Sequence, residues 1–118
     1  MQTIDNTVNK KWLNRELKDL KSCIRFNMEG DFKAFQENDF KIKLSRILAY
    51  SLADLSTKEL RDGCIVLRIE LPRVAANRAL RLWDMSNESE KYLESEEVNR
   101  FRNFIRSYDV KNLTRSIV

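Results

Sequence analysis

Chain breakers are scarce in this sequence: 118 residues hold 2 Gly and 1 Pro. A β-sandwich or barrel turns about every 8–12 residues, and its turns draw on Gly, Pro, Asn and Asp. With two of these four so rare, the sequence predicts an all-α chain. Domains run about 100–200 residues, so residues 1–118 read as one domain. Hydrophobic residues make up 42% and charged residues 34%, enough for a modest core under a heavily charged surface.

Apolar periodicity divides the chain. Val8, Trp12, Leu13, Leu17, Leu20, Ile24 and Met28 recur in steps of one, three and four, mostly the last two, and predict a long first helix, capped by Asp5 or Thr7 and stopped by Gly30. Residues 31–38 read as a connector in which Phe32 and Phe35 plug the core. A helix over about 39–54 follows, with Phe40, Leu44, Ile47 and Leu48 as its stripe. Ser56 and Glu59 have capping-box spacing, and Leu55 and Leu60 fit a hydrophobic staple, so a helix is expected from Thr57.

The next stretch reads two ways. Leu60, Cys64, Leu67 and Leu71 continue a helical stripe, whereas Leu67-Arg68-Ile69-Glu70-Leu71 alternates like a strand after the turn-like Asp62-Gly63. A strand needs a partner, and no other convincing strand stands out, so helix is favoured. Pro72 breaks that element and can open the next, whose apolar face is Ala75, Ala76, Ala79, Leu82 and Trp83. Tyr92 and Leu93 pin a short helix in an acidic stretch. Ser95 caps a further helix with core residues Val98, Phe101, Ile105 and Tyr108, and Asp109 caps a last one with Val110, Leu113 and Ile117. The expected fold is a bundle of five to seven helices. Its expected core is Trp12, Leu17, Leu48, Leu67, Leu82, Trp83, Phe101 and Ile105, with a kink or break at 71–72.

The net charge is +4, from 22 basic and 18 acidic side chains, and it is unevenly spread. On helical geometry, Lys11, Arg15, Lys18, Ser22 and Arg25 form one stripe; Arg73, Asn77, Arg78 and Arg81 form a second; Asn99, Arg102, Asn103 and Arg106 form a third. Arg offers phosphate a planar fork of donors, and Asn adds neutral donors toward backbone or base edges. The same stripes would also serve as ordinary solvated faces of a bundle. Between positions 84 and 97, six acidic residues stand against Lys91, a segment that reads as a solvated helix start or as a contact for a basic surface. Phe26 and Phe104 fall off the main apolar faces, where they would widen the core contact or stack on bases.

Several chemistries are excluded. With 0 His, the chain lacks Ser-His-Asp and Cys-His pairs and His-based zinc sites. Cys23 and Cys64 are too far apart for a metal motif and too few for a disulfide scaffold, and they suggest a reducing compartment. Glycine-rich nucleotide loops are missing. No catalytic residue, metal or cofactor is expected. A helix-turn-helix across 57–71 and 73–83 fits poorly, because Glu59 stands where the motif wants a small residue. An RNA-binding sheet with exposed aromatics would need strands that the chain does not show. The start, Met1-Gln2-Thr3-Ile4-Asp5, lacks the apolar run of a secretory signal, and no stretch nears the ~18–20 apolar residues of a membrane span. A soluble, cytoplasmic protein is expected.

The function expected is a non-enzymatic subunit that holds RNA or single-stranded DNA by its backbone within a larger nucleoprotein complex, alongside other protein subunits, with no membrane or small-molecule substrate. This short, basic, all-helical type is similar to the small helical subunits of CRISPR effector complexes, a likeness of composition and expected fold class. Arg73, Asn77, Arg78, Arg81, Arg102, Arg106, Lys11, Arg15, Lys18 and Arg25 are its candidate contacts. The alternative is a protein–protein adaptor of phage or mobile-element type that docks through helical faces; a homodimeric bundle whose charge serves only solubility is the plainest reading.

Overall fold

The sequence expectation of an all-α bundle fails on the strands. A computed structural model describes residues 20–88 and 95–116. In chain order these form β1 (Lys21–Met28), α1 (Glu37–Leu48), β2 (Ser56–Arg61), β3 (Ile65–Pro72), α2 (Arg73–Asn87), α3 (Glu96–Ser107) and β4 (Val110–Ser116), with short 3-10 turns at Phe32–Ala34 and Leu52–Asp54. The strands make one antiparallel sheet in the order β2-β3-β1-β4. Two interlocked β-α-β units give that order, the split βαβ or ferredoxin-like connectivity, here with two helices before the last strand.

Over Lys21–Met28 the first-helix expectation fails for a specific reason, while its earlier part lies outside the described residues. Leu20, Ile24 and Met28 are four apart, which satisfies a helix, but four is also a multiple of the strand period of two. Ile24, Phe26 and Met28 all turn into the core, and Arg25 and Asn27 turn away. β1 is thereby the partner that the alternating 67–71 segment needed: Phe26 lies opposite Leu67, and Ile24 opposite Ile69. Ser56 opens β2, not a helix, so its capping box does not form. The helix expected after Asp109 is β4, with Leu113 paired to Phe26. Trp12 and Leu17 lie outside the described residues.

Low glycine content does not forbid this sheet, because only β2–β3 is a tight hairpin. The other connections pass through helices. Gly63 makes the hairpin turn at φ 107°, while Ala49 (φ 59°) and Asp109 (φ 53°) take the left-handed conformation without glycine. The left-handed Ala49 ends α1 at Leu48, six residues before the expected limit.

Other expectations hold. Pro72 directly precedes α2, whose Ala75, Ala76, Ala79 and Leu82 are buried. The Ser95 hydroxyl accepts from the Val98 N–H at 3.3 Å and caps α3. Leu48, Leu67, Leu82, Phe101 and Ile105 are core residues, and Trp83 is half-buried against them. Phe26 and Phe104 are also core: Phe40 stacks between them, 4.9 and 4.8 Å from their ring centroids. Neither is presented for base stacking.

The buried cluster joins inward residues of β1, β3 and β4 to α1, α2 and α3, and Leu60 of β2 packs against it. The three helices therefore cover one face of the sheet. Burying that face at about 25 cal/mol per Å² of apolar area is the main force holding helices to strands. Among the described residues no helix is long and apolar enough to cross a membrane.

Candidate nucleic-acid interface

The expected contacts divide among different surfaces. Lys11, Arg15 and Lys18 lie outside the described residues. Arg25 belongs to β1, not to a helical stripe. It stands on the sheet face away from the helices, where its Nε donates to Asn27 Oδ1 at 3.2 Å.

That outer face has the strands an RNA-binding sheet requires, a correction to the sequence reading, but its aromatics are missing among the described residues. Several of its charges pair with one another. Arg68 reaches Glu59 at 3.1 Å and Ser116 at 3.4 Å, and Lys58 lies 3.8 Å from Glu70. The cysteines are apart as well: Cys23 is buried, which pushes its thiol up, and Cys64 is exposed.

On α2 the helical reading of the second stripe is correct. Arg73, Asn77 and Arg81 are exposed, on the side opposite Ala75, Ala79 and Leu82. Asn77, Arg78 and Arg81 line a shallow groove of about 320 Å³ with Val74, which is 62% exposed. Arg78 is the exception within the set. Its guanidinium is 2.7 Å from Glu97 and donates to the Leu48 carbonyl at 3.1 Å. It ties α2 to the start of α3 and the end of α1, so its donors are already engaged.

Arg115 of β4 joins this face. It donates to Asn77 Oδ1 and, at 3.1 Å, to the Ser22 hydroxyl. The basic count of the last segment was visible in sequence, but a strand, not a helix, is what puts Arg115 beside α2.

The third stripe arrives at the other end of the same margin. Arg102 is half-buried and fixed: it donates to the Ser86 carbonyl at 3.3 Å and to Asn99 Oδ1 at 3.0 Å. Arg106 is exposed. Both line a crevice of about 270 Å³ with Trp83 and Asn87 of α2 and Lys111 of β4. Lys111 is held by Asp109 at 2.8 Å, and that contact first, then the charge of Glu29, keeps its ammonium above the ordinary lysine range. Sequence reasoning missed Trp83, Asn87 and Lys111 as members of this group, since nothing local links residues 83–87 to 111.

The α2–β4 margin is thus one surface. It runs from Arg73, Asn77 and Arg115 at one end to Asn87, Arg106 and Lys111 at the other. Residues 77 to 87 of a helix span about 15 Å, and residues 111 to 115 of a strand about 13 Å, so the two sides match in length. Acids stand along it too, among them Asp84, Asp109 and Glu29, the last 3.9 Å from Lys111.

The charges of α2 also run against its dipole. A helix favours acids in its first turn and bases in its last. Here the first turn has Arg73 and no acid, and the last turn has no base. Each such placement forgoes about 0.3–1 kcal/mol. Stability alone would not choose Arg73 in the first turn, whereas an anion bound beside it would offset that cost.

No family model, curated protein or solved structure matches this chain. The fold and site define an antiparallel split-βαβ domain with one basic helix–strand margin. Its connectivity is shared by proteins of many functions, so the functional reading rests on that margin alone.

Proposed function

We propose that this protein holds nucleic-acid backbone, RNA or single-stranded DNA, along the α2–β4 margin, as a non-enzymatic part of a larger nucleoprotein assembly. The observation that carries the reading is convergence. Basic residues from three separate stretches of sequence, 73–81, 102–106 and 111–115, meet along one margin, and Arg73, Arg81 and Arg106 have no ion pair among the described residues. The likeness to all-helical CRISPR subunits falls with the all-α fold and lends no support.

The margin suits a strand of phosphates. It runs about 15 Å from Asn77 to Asn87, with Arg73 about a turn beyond, and its cations sit on rigid elements of the fold. Arg102 and Asn77 are pre-positioned by their own hydrogen bonds, which reduces the ordering cost of binding. The small number of cations makes a lone contact weak, and this favours a role beside other subunits.

The test is fluorescence anisotropy with labelled single-stranded RNA, single-stranded DNA and duplex DNA over a salt series, comparing the parent with Arg73→Ala/Arg81→Ala. Binding that falls with salt, and falls further in the double variant, is expected. Binding unchanged by the double variant would remove the margin as the site.

A further inference from the structure

A second groove lies between α1 and α3, and none of its residues belongs to the α2–β4 margin. It is an open groove of about 420 Å³. Its floor is the half-buried Ile47, backed by the largely covered Phe104, and its rim carries Lys43, Arg46 and Arg100. Both ends are pinned. At one end Phe40 packs on Phe104 and Tyr108, with ring centroids 4.8 and 4.9 Å apart. At the other, Arg78 bridges the Leu48 carbonyl and Glu97.

The rim cations are partly fixed too. Lys43 is 3.0 Å from Asp39 and 5.4 Å from the Tyr108 ring centroid, and Arg100 is 2.9 Å from Glu96. Tyr108 also donates to Asp39, and this bond, with that from Lys43, holds the carboxyl below the ordinary aspartate range. Arg46, exposed at the last turn of α1, has no ion pair among the described residues.

We infer that this groove docks a short acidic amphipathic helix of a partner protein. An apolar floor between two helices accepts the apolar ridge of a third, and the basic rim selects carboxylates beside that ridge. The lining runs over residues 43–47 of α1 and 100–107 of α3, about 6 and 10 Å along their axes, so the partner contributes about two turns. Phosphate backbone is the poorer fit, because it has no apolar ridge to cover Ile47. A fixed groove of this kind binds with little reorganisation.

The test uses the full chain, isotope-labelled for NMR, and a synthetic 14-residue helical peptide with Leu on one face and Glu beside it. Saturable shifts at Arg46, Ile47 and Asn103 are expected. Arg46→Glu/Arg100→Glu should weaken binding at least tenfold, with the rest of the spectrum unchanged to show that the variant is folded. The same peptide with Lys in place of Glu should not bind. Absence of saturable shifts at millimolar peptide would overturn the inference, as would a single-stranded 10-mer oligonucleotide shifting these resonances where the peptide does not. Arg73→Ala/Arg81→Ala leaves peptide binding intact, so failure of the groove and failure of the α2–β4 margin are separable.

Discussion

Arg78 and Arg81 are three residues apart on one helix and do different things. Arg78 gives its donors to Glu97 and to the Leu48 carbonyl at the end of α1, whereas Arg81 faces solvent. The ion pair is 40% and 45% exposed at its two ends, so it is worth little alone, and the bond to the Leu48 carbonyl adds to it. Arg78→Ala is expected to lower stability by about 0.5–1 kcal/mol, read as a shift in urea midpoint at constant slope. Arg81→Ala should stay within about 0.5 kcal/mol of the parent. Equal midpoints for the two variants would show that the Arg78 bridge contributes nothing. Sequence grouped these residues correctly by face but could not divide them, because Glu97 and Leu48 come from remote parts of the chain.

At the scale of the element, cap chemistry separates the helices that sequence finds from those it misplaces. Ser95 followed by Glu96 and Glu97 is a helix start in sequence and in the fold. Ser56 with Glu59 has an equally good pattern, yet it opens an edge strand, where Thr57 lies opposite Ile69 of β3 and Leu60 opposite Leu67. Two inward residues three apart suit a helix face; here the register shift between Thr57 and Glu59 lets a strand turn both inward. The same ambiguity concealed β1, where a spacing of four fits either period, and with β1 concealed β3 lacked a visible partner. Ser95→Ala is therefore expected to cost about 0.5–2 kcal/mol, the usual loss of an N-cap. Ser56→Ala, at an exposed strand position, should change stability by less than about 0.5 kcal/mol. Chemical denaturation of both variants checks this, and a Ser56 loss as large as the Ser95 loss would contradict the placement of β2.

At the scale of the whole molecule, a sheet is what assembles the candidate site. Periodicity alone showed Arg73, Asn77 and Arg81 on one side of a helix, but only β4, running back along α2, brings Arg115 and Lys111 beside them. The number of cations on that margin sets how binding must respond to salt. Arg73, Arg81, Arg106 and Arg115 have no carboxylate partner among the described residues, while Lys111 is held by Asp109. On single strands each neutralised phosphate contributes about −0.7 to the slope of log K against log salt, so four contacts give about −2.8. Between 50 and 200 mM salt that slope corresponds to a loss of about fifty-fold. Arg73→Ala/Arg81→Ala should flatten the slope by about 1.4, two phosphates' worth, and lower affinity at every salt concentration. Arg25→Ala, on the opposite face of the sheet, should leave both unchanged. A parent slope much steeper than about −2.8 would place further phosphates on cations beyond the margin. If Arg25→Ala flattens the slope and the α2 pair does not, the outer sheet face holds the backbone, and its internal ion pairs must open to do so.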